Sequence, residues 1–441
     1  MKQTNKSPIK RGDLILKEKP FVFVLQSKYR KERCDYCLKA TKLLKCSTCQ
    51  YVYYCNSDCQ IRAWDQHKVE CPFLKRIYPR TVPDAARMLC KLIIKLNSGG
   101  NLERGYYTET SYRKFQDLMS HYTEIEQDAT RMAHFQCLKV VLSEMMHEST
   151  IMPNSNELLT IYGRLVTNGF NILDAEMNSI ATAIYLGVSV TDHSCRPNAV
   201  ATFEGTTLLI HATETIDCLD WSKIFISYIE LLNTTEQRRH DLKSNYYFYC
   251  FCSKCLDSNE LREMNAALCP NTNCNMFLDI SADKCSLCKT NINSEYRAAF
   301  NEAMALTKTH LDKMKEVAYL DVLQICLNKQ KDYLHPLNLW RVKTLDAAFD
   351  AYIEVGKWVD ALEIGRLLIP GYRKYYGDWH PMLGLLHMKL GKIELYKNCL
   401  KEASSNLRSS IKILEITHGQ GHSLVKEILL PLLMQATINF S

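Results

Sequence analysis

An α+β multidomain fold is predicted for this chain, with a compact cysteine-rich segment, a β-rich region and a helical C-terminal third. Three observations predict it. Eight potential metal ligands crowd into residues 34–71. Short β-prone runs, 206–211 and 224–228, are broken by turn residues. From about residue 296 onward, small and large apolar residues recur at helical spacing with few strand signals. At 441 residues the chain is long enough to bury several cores. Its 46% hydrophobic and 23% charged residues are ordinary for a globular protein. No apolar run reaches the ~20 residues of a membrane span, so no membrane partner is expected. The first residues, punctuated by Lys, Arg and Asp, carry no signal or transit pattern, which predicts residence in the nucleus and cytoplasm.

Twenty cysteines without an export signal, many paired two or three apart, read as metal ligands rather than disulfides. The formal charge of +7 is concentrated in residues 1–33, which hold ten Lys/Arg against three Asp/Glu. Three four-cysteine zinc sites and one containing a histidine would cancel that excess, so direct nucleic-acid binding is not expected.

The first element is the cysteine-rich segment, with Cys34-x2-Cys37, Cys46-x2-Cys49, Cys55-x3-Cys59 and His67-x3-Cys71. Two tetrahedral ions need eight such ligands, and a segment this short has no other core. His67 lies four residues before Cys71, on the same helical face. Together with Tyr53-Tyr54-Cys55 and Trp64-x2-His67, the pattern resembles the MYND finger. The resemblance implies alternating ligand pairs: Cys34, Cys37, Cys55 and Cys59 for one zinc, and Cys46, Cys49, His67 and Cys71 for the other.

Residues 72–158 read mostly as helix, with Met88, Leu89, Leu92, Ile93 and Leu96 at helical spacing before Asn97-Ser98-Gly99-Gly100. His121, His134 and His147, with Met132, Met145 and Met146, read as surface or packing residues. Between 160 and 230 the pattern turns β-prone and contains Asp192-His193-Ser194-Cys195-Arg196-Pro197-Asn198. Downstream, Cys250-x-Cys252-x2-Cys255 supplies three metal ligands and lacks a fourth, for which Cys195 is the nearest unassigned cysteine in a rigid setting.

These residues resemble the SET domain, with its Asn-His-Ser-Cys-x-Pro-Asn motif, a following strand tyrosine and a Cys-x-Cys-x2-Cys post-SET segment. The likeness continues through Thr234-Thr235-Glu236-Gln237-Arg238-Arg239, so the whole chain resembles a SET- and MYND-domain (SMYD) protein-lysine methyltransferase. The resemblance implies a SET domain begun in 1–33, interrupted by the MYND finger at 34–71 and a helical insertion at 72–158, and completed in 159–240. A post-SET zinc segment at 241–293 and a tetratricopeptide-like helical domain at 294–441 follow. It further implies a third zinc on Cys195, Cys250, Cys252 and Cys255. Asn168, Asp192 and His193 would contact S-adenosylmethionine, Tyr246 and Phe248 would line the cofactor and lysine channel, and Tyr228 would be the catalytic tyrosine. Transfer of a methyl group needs a neutral lysine amine held in line; a narrow aromatic channel would lower the lysine pKa from its usual ~10.4 by desolvation.

The chain departs from the family pattern in three places. No Gly-x-Gly strand precedes the finger, so the first SET strand and its cofactor contacts are expected to be missing. Asp192 stands where the family has asparagine, and the Gly-Glu-Glu-Leu turn is replaced around 220–224. These departures favour the alternative reading, a catalytically silent scaffold acting as a protein-interaction or transcriptional-regulatory adaptor.

Next, Cys269-x4-Cys274 and Cys285-x2-Cys288 read as a ribbon-like fourth zinc site. Cys90, Cys137, Cys218, Cys326 and Cys399 are isolated and read as core packing. In the helical tail, Tyr376-Gly377-x2-His380-Pro381 recurs as His418-Gly419-x2-His422-Ser423, an offset of 42 that predicts stacked helix pairs. Arg366, Arg373 and Lys374 read as a solvated helix face. Expected partners are lysine-bearing proteins, histones among them, and proline-containing peptides at the finger; a monomer is expected.

Overall fold

The computed structural model describes residues 7–146, 151–313 and 319–438. Its strands are β1 (Leu14–Glu18), β2 (Val22–Leu25), β3 (Leu44–Lys45), β4 (Tyr53–Tyr54), β5 (Gly105–Tyr106), β6 (Tyr112–Arg113), β7 (Gly169–Leu173), β8 (Ser179–Ile184), β9 (Asp192–His193), β10 (Ala199–Glu204), β11 (Thr207–Ala212) and β12 (Phe225–Ile226). The helices are α1 (Ser57–Ile77), α2 (Asp84–Asn97), α3 (Tyr122–Gln127), α4 (Ala129–Met145), α5 (Ser155–Asn168), α6 (Thr235–Tyr246), α7 (Ser253–Leu256), α8 (Ser258–Met264), α9 (Ser294–Lys313), α10 (Leu320–Gln330), α11 (Leu339–Glu354), α12 (Trp358–Tyr376), α13 (Pro381–Tyr396), α14 (Leu400–His418) and α15 (Leu430–Ile438). They form two compact units. One comprises Met1–Asp192, Asn198–Ile226 and Lys243–Tyr247; the other comprises His193–Pro197, Ser227–Leu242 and Phe248–Ser441.

The first unit holds the small antiparallel sheets β1-β11-β10 and β2-β8-β7. The β10–β11 hairpin turns at Gly205, whose φ of +59° is easy only for glycine, so the strand expected at 206–211 falls at Thr207–Ala212. Around α2, the residues Met88, Leu89, Leu92 and Ile93 are buried in one core with Phe21, Val22, Tyr51 and Tyr162. The β-prone region begins later than the sequence suggested. Residues 155–168 are helix, started by a capping box in which the Asn154 side chain accepts from Glu157 N at 3.0 Å and Glu157 accepts from Asn154 N at 3.0 Å. The run at 224–228 also shortens to Phe225–Ile226, because the Tyr228 amide donates to His193 Nδ1 at 3.0 Å.

Packing corrects the reading of the isolated cysteines. Cys90 and Cys326 are buried and Cys218 is half-buried, but Cys137 and Cys399 are exposed. The buried face of α4 is Phe135, Leu138, Leu142 and Met145, which leaves Cys137 outside it, and Cys399 is the residue capping the start of α14. His134, on the outer side of α4, bonds Tyr162 Oη through Nδ1 at 2.9 Å. His147 lies outside the described residues.

In the second unit, α9 to α15 pack neighbour on neighbour. The 42-residue repeat is a repeat of geometry. Gly377 and Gly419 end α12 and α14 at φ of +94° and +85°. His380 Nδ1 and His422 Nδ1 then accept from the amide two residues on, at 3.2 and 3.1 Å, starting the next turn. A further instance was not seen in the sequence: His335 Nδ1 accepts from Leu337 N at 3.1 Å, ahead of α11. Its offset of 45 from His380 breaks the strict period, which is why counting missed it. Gly384 and Gly391 let α13 approach α14 closely, since a Cβ at either would come within 2.7 Å of Leu414 or Leu407. Of the expected solvated face, Arg366 pairs with Glu394 at 2.9 Å, Arg373 with Asp378 at 3.6 Å, and Lys374 with Glu263.

Asp346 on α11 makes this unit pH-sensitive. Burial raises its carboxyl to about 6; Asp350 and Glu230 add to the rise, while the Tyr372 hydroxyl bond and Lys389 oppose it. Because the folded form holds its proton more tightly than the unfolded chain, this group's contribution is fully present below about pH 4 and is lost as pH rises through 6. Asp346→Asn is therefore expected to gain roughly 2–3 kcal/mol over the parent between pH 4 and 7. Urea unfolding of both proteins at matched pH values would measure it.

Candidate functional site

The finger is assembled by short turns and one helix. β3 pairs with β4, and Asn56 caps α1 by accepting from Cys59 N at 2.9 Å, so the helix begins beside its first ligand. The ligand atoms of Cys34, Cys37, Cys55 and Cys59 form one group within 4.8 Å, and those of Cys46, Cys49, His67 and Cys71 a second. Representative spacings are 3.7 Å for Cys37–Cys55, 3.9 Å for Cys46–Cys71 and 3.5 Å for His67 Nε2–Cys46. The pairs thus alternate along the chain. Four soft donors converging at such distances suit a tetrahedral zinc ion.

Behind the finger lies a buried charge network that sequence reasoning missed. Arg87 of α2 donates to Asp35 at 2.7 and 2.9 Å and to Glu70 at 2.6 and 3.1 Å. Glu70 also faces His67 Nδ1 at 3.7 Å. Burial alone would raise the Glu70 carboxyl, but Arg87 and Lys91 override it and hold it well below the usual range. The network joins residues adjacent to ligands at both ends of the finger, Asp35 after Cys34 and Glu70 before Cys71. Arg87 hides in the sequence because it sits among the apolar residues of α2, and nothing local marks it as paired.

In the second unit, Cys195, Cys250, Cys252 and Cys255 form another such group. Cys195 lies 3.5 Å from Cys255 and 4.0 Å from Cys250. The consecutive arginines of α6 serve it differently. Arg238, fully buried, reaches Cys255 Sγ at 4.0 Å and Glu260 at 3.5 Å, placing positive charge beside the thiolates a metal would require. Arg239 instead donates to the carbonyls of Cys250 and Cys255 at 3.1 and 3.2 Å, pinning the loop backbone.

The same unit brings together three of the expected site residues. His193 lies 5.3 Å from the Tyr228 ring and 6.1 Å from Phe248, centroid to centroid. Both of its ring nitrogens are engaged, Nδ1 by Tyr228 N and Nε2 by Cys195 Sγ at 3.3 Å. The remaining three belong to the first unit. Asn168 ends α5, and its amide nitrogen donates to the carbonyls of Met119 and Arg164 at 2.8 and 2.9 Å, which leaves its oxygen as an acceptor. Asp192 is exposed, and Tyr246 is half-buried with its phenol raised by burial. An amide oxygen and a carboxylate, both acceptors, fit a ligand bearing an ammonium and a sulfonium. The final cysteine set, Cys269, Cys274, Cys285 and Cys288, also converges within 4.8 Å.

Residues 34–71 match the profile of the MYND finger family. Over nearly its whole length the chain is similar to histone-lysine N-methyltransferase SMYD3 of Mus musculus, 29% identical over 433 residues, spanning 96% of this chain and 92% of that protein. Histone-lysine N-methyltransferase ASHR1 of Arabidopsis thaliana is 29% identical over 437 residues, spanning 95% of this chain and 89% of its own. N-lysine methyltransferase SMYD2 of Homo sapiens is 25% identical over 431 residues, spanning 96% and 93%.

Proposed function

Because the chain belongs to the SET- and MYND-domain (SMYD) family, we propose that it is a protein-lysine N-methyltransferase, using S-adenosylmethionine to methylate lysines of histones or other proteins. The observation that carries this reading is the length of the likeness, 96% of the chain, to an enzyme named for histone-lysine methylation.

The bound donor supplies an electrophilic methyl group. The chain's task is to hold an amine in line with it and keep that amine neutral. Phe248, beside His193, offers an apolar surface to the amine, and desolvation lowers the pKa of a lysine packed against it; Tyr246 is a second aromatic of the proposed channel. Tyr228, whose ring packs near His193, points its hydroxyl at the amine and orients the lone pair. Asn168 offers its amide oxygen and Asp192 its carboxylate to the donor. Asp192 in place of an amide adds negative charge opposite a cationic ligand.

Three zinc ions accompany this reading, two in the finger and one on Cys195, Cys250, Cys252 and Cys255. The finger takes proline-containing peptides, the helical domain contributes to substrate binding, and the protein works as a monomer in nucleus and cytoplasm.

Calorimetry with S-adenosylmethionine on the zinc-loaded chain, beside Asp192→Asn, is the first test. Micromolar binding is expected for the parent, followed by transfer of labelled methyl to core histones or a lysine-peptide array. If neither folded protein binds the donor, the enzyme reading fails and the adaptor reading takes its place.

A further inference from the structure

We infer that Cys269, Cys274, Cys285 and Cys288 hold a structural zinc ion additional to those of the finger and the Cys195 site, and that this zinc lobe caps the first helix of the helical array.

The first argument is a repeated backbone. In the finger, Leu38 follows Cys34-x2-Cys37 at φ +62° and returns its amide to Cys34 O at 3.0 Å. Cys34 N bonds Lys39 O at 3.0 Å, and Arg33 bridges to Ala40. The later pair repeats each feature at the same spacing. Lys289 follows Cys285-x2-Cys288 at φ +62°, its amide bonds Cys285 O at 3.1 Å, Cys285 N bonds Thr290 O at 2.9 Å, and Lys284 bridges to Asn291. The finger's second pair also places a residue, Gln50, at φ +57° with its amide on Cys46 O at 2.9 Å. A left-handed conformation costs a residue with a side chain about 1–2 kcal/mol, so its recurrence immediately after Cys37, Cys49 and Cys288 calls for a common cause. The turn points both thiols and the intervening amides toward one point, as a knuckle around a metal requires.

The second argument is the ligand set. Sulfurs about 2.3 Å from zinc in a tetrahedron stand about 3.8 Å apart. Here Cys269 and Cys288 are 3.4 Å apart, and Cys274 and Cys285 are 3.8 Å apart. Cys269, Cys274 and Cys285 are buried, and the polar residues of the loop between the pairs, Asn275, Asp279, Ser281, Asp283 and Lys284, are exposed, so the thiols face inward while the loop's polar side chains face out.

The third argument is where the lobe is anchored. Leu278 and Ile292 pack with Phe300, Ala303 and Met304 of α9 and with Leu334. Ala267 bridges to both Leu278 and Leu334, and Asn338 Nδ2 donates to Ala266 O at 3.0 Å. Arg297 of α9 grips the loop between the cysteine pairs by the carbonyls of Ile280, Ser281 and Ala282 at 2.9–3.0 Å. Stacked helices need their end faces covered, and here the lobe covers the first helix where a preceding repeat would otherwise sit.

Native mass spectrometry of the full zinc-loaded chain is expected to show four ions, and Cys285→Ser/Cys288→Ser three. In that variant, hydrogen exchange over residues 266–304 should quicken at least about tenfold, with the finger unchanged. In case the variant does not fold, N-ethylmaleimide labelling of the parent gives an independent readout: Cys285 and Cys288 should react only after a chelator is added. Three ions in the parent, immediate labelling, or disulfides joining these cysteines would overturn the site. A fall from four to three with unchanged exchange in α9 would overturn the cap. None of these readouts depends on methyl transfer, so the inference stands or falls apart from the proposed activity.

Discussion

Tyr228→Phe is expected to lower kcat/KM for lysine methylation by about 10²- to 10³-fold while leaving S-adenosylmethionine affinity within about threefold. The hydroxyl is the only atom removed. The amide of residue 228 still donates to His193 Nδ1, and a phenylalanine ring still packs near the imidazole, so these two contacts survive the change. In the proposed mechanism, what is lost is the hydrogen bond that directs the amine lone pair, an interaction worth most at the moment of transfer. Paired initial-rate and calorimetric measurements separate the two effects. Unchanged transfer would remove Tyr228 from the catalytic role, and weakened donor binding would move its role to the cofactor.

Arg87→Met is expected to destabilise the finger-bearing unit by about 3–5 kcal/mol, because it strands two buried carboxylates whose shared partner has gone. Zinc affinity should fall roughly 10- to 100-fold, since Glu70 faces the His67 ring and Asp35 adjoins Cys34. Denaturant unfolding and competition with a chromophoric chelator would measure both. Converting Arg87, Asp35 and Glu70 together to apolar residues of similar size should recover most of the stability but not the zinc affinity. That split would assign the network's role in metal binding to the Glu70–His67 approach. If the single and triple variants were equally unstable, unpaired charge would not be the cause.

Much of the zinc chemistry was legible in the chain because metal ligation is written in local spacing. Cys34-x2-Cys37 and Cys285-x2-Cys288 each fold as a knuckle within five residues, and a turn of that length needs no distant contact to form. The helical repeat was legible for the same reason: Gly377 and Gly419, with His380 and His422, act on their own neighbours. The helix expected to end at 158 continues to Asn168, so the β-prone reading fails over 160–168; the capping box of Asn154 and Glu157 is the local signal that starts this helix.

Other features had no local signature. Arg87 reads as one charge on an apolar helix until folding brings Asp35 and Glu70 to it across separations of 52 and 17 residues. The exposure of Cys137 followed from which side of α4 met the core, and the spending of both His193 nitrogens followed from its meeting Tyr228 and Cys195. The short ligand pairs, the turns that end α12 and α14, and the family likeness belong to the sequence alone, because they depend on residue type at short spacing. Only the tertiary structure decided which charges were buried together, since desolvation and pairing energies arise when distant segments exclude water from the same place.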